Sequence, residues 1–245
     1  MSFLDKVFSG LPEIDIQILA ILLSFTFSYS ILITGGKLKK KYGFETGYSR
    51  KLFHFSIFLI AACIHTTLGL SYLCLMGLGV STAVGTAIIQ GAGSNSFECI
   101  ARHRDYPYRR TFIIIPYFST LIGGLITGSY FEQFATIGFI VSGMGDASGE
   151  VIGLRFGKRK YHIFKKTYFR TSKSFEGSLA VFLVSSIALF IFLLLTSHQS
   201  LIAVISISIG IGFISSIVEI ITPRGIDNIT LQTIPTALYA CIITI

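Results

Sequence analysis

Residues 178–196 read SLAVFLVSSIALFIFLLLT, a run without a charged side chain. As a helix rising 1.5 Å per residue, such a run reaches across the roughly 30 Å hydrocarbon core of a bilayer. The same texture recurs outward from it in both directions. Further apolar blocks lie at about 15–35, 52–69, 71–90, 112–130, 133–153, 200–221 and 229–245. Each is near the roughly 20 residues that a crossing needs. The chain of 245 residues is 52% hydrophobic, has a mean hydropathy of +0.73 and is only 13% charged. A soluble domain would carry about a quarter charged residues. The sequence therefore predicts an all-α polytopic transmembrane helical bundle of about eight spans. It forms one integral membrane domain over 1–245, and its length calls for no second domain.

The charges supply an independent test of that map. Of the 20 Lys and Arg, 19 fall in segments 36–51, 91–111, 154–177 and 222–228, and only Lys6 falls elsewhere. With eight spans all four segments lie on one side. Positive-inside bias then places them in the cytoplasm and both termini outside. A net charge of +8 concentrated on one face also attracts anionic headgroups. Segment 154–177, with eight bases and one acid, exceeds what orientation requires. Aromatics from Tyr161 to Phe169 alternate with its bases, a pattern suited to a loop lying at the interface. The first block is read as a retained span, since Lys37, Lys39, Lys40 and Lys41 follow it and no small-x-small site closes it. Cys63, Cys74, Cys99 and Cys241 show neither CxxC nor Cys/His spacing and read as apolar fillers.

Acids at a membrane edge are costly and usually functional. Asp146 and Glu150 are four apart, so a helix puts both carboxylates on one face. Gly143, Gly145, Gly149, Gly153 and Gly157 surround them. Such glycines serve either close approach to a ligand or close helix packing, with an acid salt-bridged to Arg155 or Lys158. Lys158, Arg159 and Lys160 open the basic loop. Lys173 stands between Ser172 and Ser174, three residues before Glu176. Either serine could cap the sixth span. Arg50 and Lys51 open the second span, with His54 one turn beyond Arg50. Glu219 ends the seventh span, and Pro223-Arg224-Gly225-Ile226-Asp227-Asn228 follows as a tight turn. Asp227 and Asn228 read either as an N-cap or as ligands.

Together these residues resemble a known family. Gly145-Asp146, Gly153, Phe156-Gly157-Lys158 and Lys173-Ser174-Phe175-Glu176-Gly177-Ser178 are similar to the signature of the dolichol kinase, phytol kinase and yeast-type diacylglycerol kinase group. Arg50-Lys51-x-x-His54 matches that group's early motif. Glu219 with Gly225-Ile226-Asp227-Asn228 matches its late one. The resemblance runs from about residue 50 to residue 235. It implies a CTP-dependent kinase that moves the γ-phosphoryl group of CTP to the hydroxyl of a membrane lipid. The broader superfamily includes CDP-diacylglycerol synthase, whose His-Gly-Gly segment and Asp-Arg-x-Asp pair have no counterpart here. Glu150 departs from the group, which often carries an uncharged residue near that position.

On this resemblance Asp146 and Asp227 hold Mg²⁺ on the triphosphate, with Glu219 or Glu150 as a further ligand. Lys173 and residues 158–160 hold phosphate oxygens, and Ser172 and Ser174 add hydrogen bonds. Arg50, Lys51, Glu176 and Asn228 join the nucleotide-binding set. Alternatively one of these two, Asp146 or Asp227, takes the hydroxyl proton instead, and His54 is a weaker candidate base. The expected partners are CTP, a membrane lipid alcohol and the bilayer, and not nucleic acid. A homodimer is one option for the assembly. The expected location is a bacterial plasma membrane, with the endoplasmic reticulum as the alternative and the site facing the cytoplasm. The rival readings are a cytidylyltransferase, a transporter and a lipid-binding protein without catalysis. A transporter needs acids deep within several spans, and these acids cluster at span ends.

Overall fold

A computed structural model describes residues 2–161, 173–223 and 225–244. The fold is all-α, and seven of its helices are long and apolar enough to cross a membrane. The chain divides into two compact units, 1–114 and 115–245.

The first unit begins with α1 (Phe3–Ser9), closed by a capping box between Ser2 and Asp5. Three long helices follow: α2 (Ile14–Tyr42), α3 (Thr46–Leu68) and α4 (Leu70–Gln90). Each stops at a glycine with positive φ, at Gly43, Gly69 and Gly91. A left-handed residue is how a helix ends without strain. α5 (Asn95–Ile100) is capped by the Ser94 hydroxyl, and a 3₁₀ turn covers His103–Asp105. α2 packs on α4 and α5, with the backbone of Asn95 directly against Gly36.

The second unit holds nearly all of α6 (Thr111–Tyr130). After a 3₁₀ turn at Glu132–Phe134 come α7 (Ala135–Ile140), a π-helical turn over Val141–Asp146, and α8 (Ala147–Phe156). A two-residue antiparallel ribbon joins β1 (Lys160–Tyr161) to β2 (Lys173–Ser174). It leads into α9 (Phe175–Thr196), α10 (Leu201–Ile221) and α11 (Asp227–Thr244).

The packing is inverted relative to a soluble protein. Leu195, Ile202 and Ile89 are among the most exposed residues, whereas Ser185, Ser215, Thr127 and Thr236 are fully buried. In lipid, burying apolar surface gives helices little reason to associate, so close van der Waals contact through small residues takes over. Gly138 sits on the backbone of Gln232, and Gly212 on Ser186. Buried hydroxyls return a bond to the carbonyl four residues back, as Ser215 does to Ile211 and Thr236 to Gln232.

The expected spans correspond to helices; α2 runs on to Tyr42, past the expected end near residue 35, and two further differences matter for the site. The second helix starts at Thr46 rather than near residue 52, which moves Arg50 and Lys51 from its mouth into its first turns. α11, the expected eighth span, is a helix but is not among the seven apolar ones. Its polar residues serve packing. The Asn228 amide donates to Thr120 Oγ1 at 2.7 Å and to Pro116 O at 3.1 Å, and Gln232 donates to Thr120 O. These bonds tie α11 to α6 and lower the hydropathy of a helix that is still well packed.

Candidate active site

The site-bearing end of the second unit is built on backbone contact between α8 and α9. A Cβ on Gly149 would meet Val181 Cγ2 at 2.6 Å, and one on Gly177 would meet Gly149 O at 2.8 Å. Gly145 is pressed on Ser185 in the same way, and Gly153 packs on Ser174. The glycines at spacing four therefore act as a helix-packing face. The Ser148 hydroxyl adds a bond to Ala180 O at 3.3 Å.

Asp146 lies at the end of the π turn, where the helix ladder widens, and is 7% exposed. A π turn inside a helix often marks a functional position. Glu150 follows one helical turn on and is half-buried. The π turn packs on α9, α10 and α11, which bring Ser178, Glu219 and Asp227 toward it.

Lys173 and Glu219 form the centre of the cluster. Lys173 Nζ lies 2.9 Å from Glu219 Oε1, donates to the Glu219 main-chain carbonyl, and reaches Thr222 O at 3.4 Å. A lysine on the last carbonyls of a helix satisfies groups that have no partner within the helix. Ser178 Oγ donates to Glu219 Oε2 at 3.2 Å, and Tyr161 Oη lies 2.5 Å from Ser178 Oγ. Burial pushes the Tyr161 phenol up; the Ser178 hydrogen bond opposes the shift and the Glu219 charge adds to it. Asp146 and Asp227 lie close enough for their charges to act on Glu219. The second unit thus gathers Asp146, Lys173, Glu219 and Asp227, although Lys173 and Asp146 stand far apart in the chain. Among the described residues, no three carboxylates, histidines or cysteines form a ready metal cage.

The other expected residues have identifiable places. Ser174 caps α9 through a bond from Gly177 N at 3.1 Å. The Glu176 carboxylate accepts the Arg159 N–H at 3.3 Å and so fixes the start of the basic loop. Lys158, Arg159 and Lys160 are exposed. The Asn228 amide is committed to α6. Ser172 and Arg224 lie outside the described residues. In the first unit Lys51 is buried, while Arg50 and His54 are half-buried on α3. The His54 ring lies 4.6 Å from Phe58, centroid to centroid.

Two features were not anticipated from sequence. Ser178 and Tyr161 belong to the Glu219 network; their signal was limited to Ser178 ending a motif and Tyr161 opening an aromatic-basic alternation. The first unit also contains a separate ionic cluster around Glu98. Its carboxylate receives Arg109 Nη1 at 3.1 Å and Nη2 at 2.7 Å, and Lys39 Nζ lies 3.5 Å away. Gly93 N donates at 3.3 Å, and Lys39 also bonds Glu98 O at 2.8 Å. Burial alone would raise the Glu98 pKa, but the Arg109 hydrogen bonds, the Gly93 N–H and the charges of Arg109 and Lys39 bring it to about 2. Burial pushes the neighbouring Cys99 thiol up to about 12.

Comparison with known proteins finds a phytol kinase of Synechocystis sp., 32% identical over 117 residues. The match covers 46% of this chain and 48% of the relative, so the chain spans about half the length of the curated protein it matches. No family model matches. No solved structure matches either.

Proposed function

We propose that this protein is a membrane lipid-alcohol kinase that uses CTP as phosphoryl donor. The observation that carries the reading is the meeting of Asp146, Lys173, Glu219 and Asp227 in a unit made of membrane-length helices. The partial likeness to a phytol kinase supports the same class of acceptor.

Phosphoryl transfer requires in-line placement and charge neutralisation more than covalent help from the protein. The lipid hydroxyl oxygen attacks the γ-phosphorus, the bond from γ-phosphorus to the bridging oxygen breaks, and CDP leaves with that electron pair. Asp146 or Asp227 accepts the hydroxyl proton. Lys173 holds a phosphate oxygen, and the exposed bases 158–160 attract the triphosphate. Mg²⁺ fits this donor set, since it is usually held by one or two carboxylates plus substrate phosphates rather than by an all-protein cage. The aspartate of this pair that does not take the proton would hold it, and when bound it would neutralise charge on the transferring group. Glu219 serves first as the partner of Lys173 and Ser178. The partition of bases in the sequence supports a cytoplasmic location for this end of the helices, at a bacterial plasma membrane.

The test is a product assay on purified protein in mixed micelles, with CTP labelled separately at the α and γ positions and a panel of prenols, phytol and diacylglycerol. γ-Label in the lipid with CDP released is the expected result. α-Label in the lipid would make the protein a cytidylyltransferase, and transfer of neither label would overturn the reading.

A further inference from the structure

We infer that Tyr161 is a positioning residue: acting through Ser178, it fixes the Glu219 carboxylate and thereby the ammonium group of Lys173. The phosphate-holding role of Lys173 rests on the function proposed above; the placement of Lys173 by Tyr161 does not.

Three observations carry the inference. Tyr161 and Lys173 are directly opposed in the antiparallel ribbon, so both side chains leave it on the same face. Both reach Glu219, Lys173 directly at Oε1 and Tyr161 through Ser178 at Oε2. The two carboxylate oxygens are thus held from opposite ends of one ribbon pair, and the carboxylate plane is set. The Lys173 ammonium has three N–H bonds, and among the described residues its acceptors are Glu219 Oε1, Glu219 O and Thr222 O. With all three N–H bonds directed at these acceptors, a phosphate oxygen reaches Lys173 by exchanging with one of them. The Glu219 carboxylate is the acceptor free to rotate, because the other two are main-chain carbonyls. Tyr161 and Ser178 therefore govern how readily that exchange occurs. They also keep Glu219 in place once it has occurred.

Two readouts test this with Tyr161→Phe, which removes one oxygen and keeps the ring. The first needs no nucleotide. Residue-resolved acylation with an amine-specific reagent, followed by mass spectrometry, should find Lys173 slower than exposed Lys158 in the unsubstituted protein. In Tyr161→Phe and in Ser178→Ala, Lys173 labelling should rise about fivefold with Lys158 unchanged, as expected when one member of a buried hydrogen-bonded network is lost. An unchanged Lys173 rate would overturn the inference, as would an equal rise at Lys158. The second readout is steady-state transfer from CTP. Each variant should lower KM for CTP about fivefold with kcat within about twofold, because a Glu219 carboxylate no longer held by Ser178 yields Lys173 to phosphate more readily. The double variant should go no further, because the two hydroxyls act as one unit. A fall in kcat at unchanged KM would also overturn it. Absence of CTP turnover in the unsubstituted protein would refute the proposed function, and the labelling experiment would still decide the role of Tyr161.

Discussion

Glu98 and Glu219 are both glutamates paired with lysine in a protein interior, yet different groups gather around them. Around Glu98 a single carboxylate meets Arg109, Lys39 and a backbone N–H. Around Glu219, among the described residues, Lys173 pairs with the carboxylate and the charges of Asp146 and Asp227 act on it. The first cluster is satisfied by its own chain. It locks α2 to α5 and leaves the carboxylate nothing further to bind. The second gathers carboxylates and a lysine near exposed bases, a donor set suited to a polyanion that arrives with a cation. A buried ion pair is thus not evidence of function by itself; the groups gathered around it separate a clamp from a site.

The contrast breaks down most readily at Asp146. Asp146→Asn should reduce γ-phosphoryl transfer by about a thousandfold or more, the scale of losing a group that acts on transition-state charge. Thermal unfolding in detergent should stay near that of the unsubstituted protein. Near-normal transfer would remove Asp146 from the site. Glu98→Gln should do the reverse. It leaves Arg109 and Lys39 facing each other in a buried place and should cost about 3 kcal/mol of stability, read from unfolding, with turnover per folded molecule preserved.

Acid should reproduce that loss without a substitution. The folded pKa of Glu98 is about 2 against an ordinary value of 4.5. Its contribution is therefore complete above about 4.5 and disappears as pH falls from there through 2. The difference corresponds to about 3 kcal/mol. In Glu98→Gln this part of the acid profile should be absent, and its persistence would separate Glu98 from acid unfolding. Smaller effects should follow at the site's edge. Lys173→Ala should raise KM for CTP about tenfold, roughly 1.4 kcal/mol, in a CTP titration. Glu176→Gln, which alters one hydrogen bond to the exposed Arg159 N–H, should change stability by less than about 0.5 kcal/mol.

The spans were legible in the sequence because bilayer thickness fixes their length and lipid fixes their texture. The run 178–196 is the core of α9, and the run 200–221 is α10. α11 was legible as an apolar block only from its later residues, since Asn228 and Gln232 spend their polarity on α6. Asp146, Lys173, Glu219 and Asp227 stood out because a charged residue at the end of an apolar run is conspicuous. The connections among them did not, for Lys173 and Glu219 meet across 46 positions. The Glu98 cluster was hidden for the same reason, with Lys39 and Glu98 59 positions apart. Its bases read only as topology signals. The π turn was invisible because tertiary packing, not local propensity, widens a helical turn.

The glycine face between α8 and α9 has a further consequence. A row of near-identical teeth spaced one turn apart is a ratchet, and a ratchet by itself does not specify which tooth engages which notch. Sliding α8 by one turn would carry Asp146 about 5.4 Å along the axis while presenting much the same small-residue surface to α9. The index mark is the Ser148 hydroxyl on Ala180 O, together with the Ser174 side chain seated between Gly153 and Gly177. Two serines would thus set the distance at which the acids face Lys173.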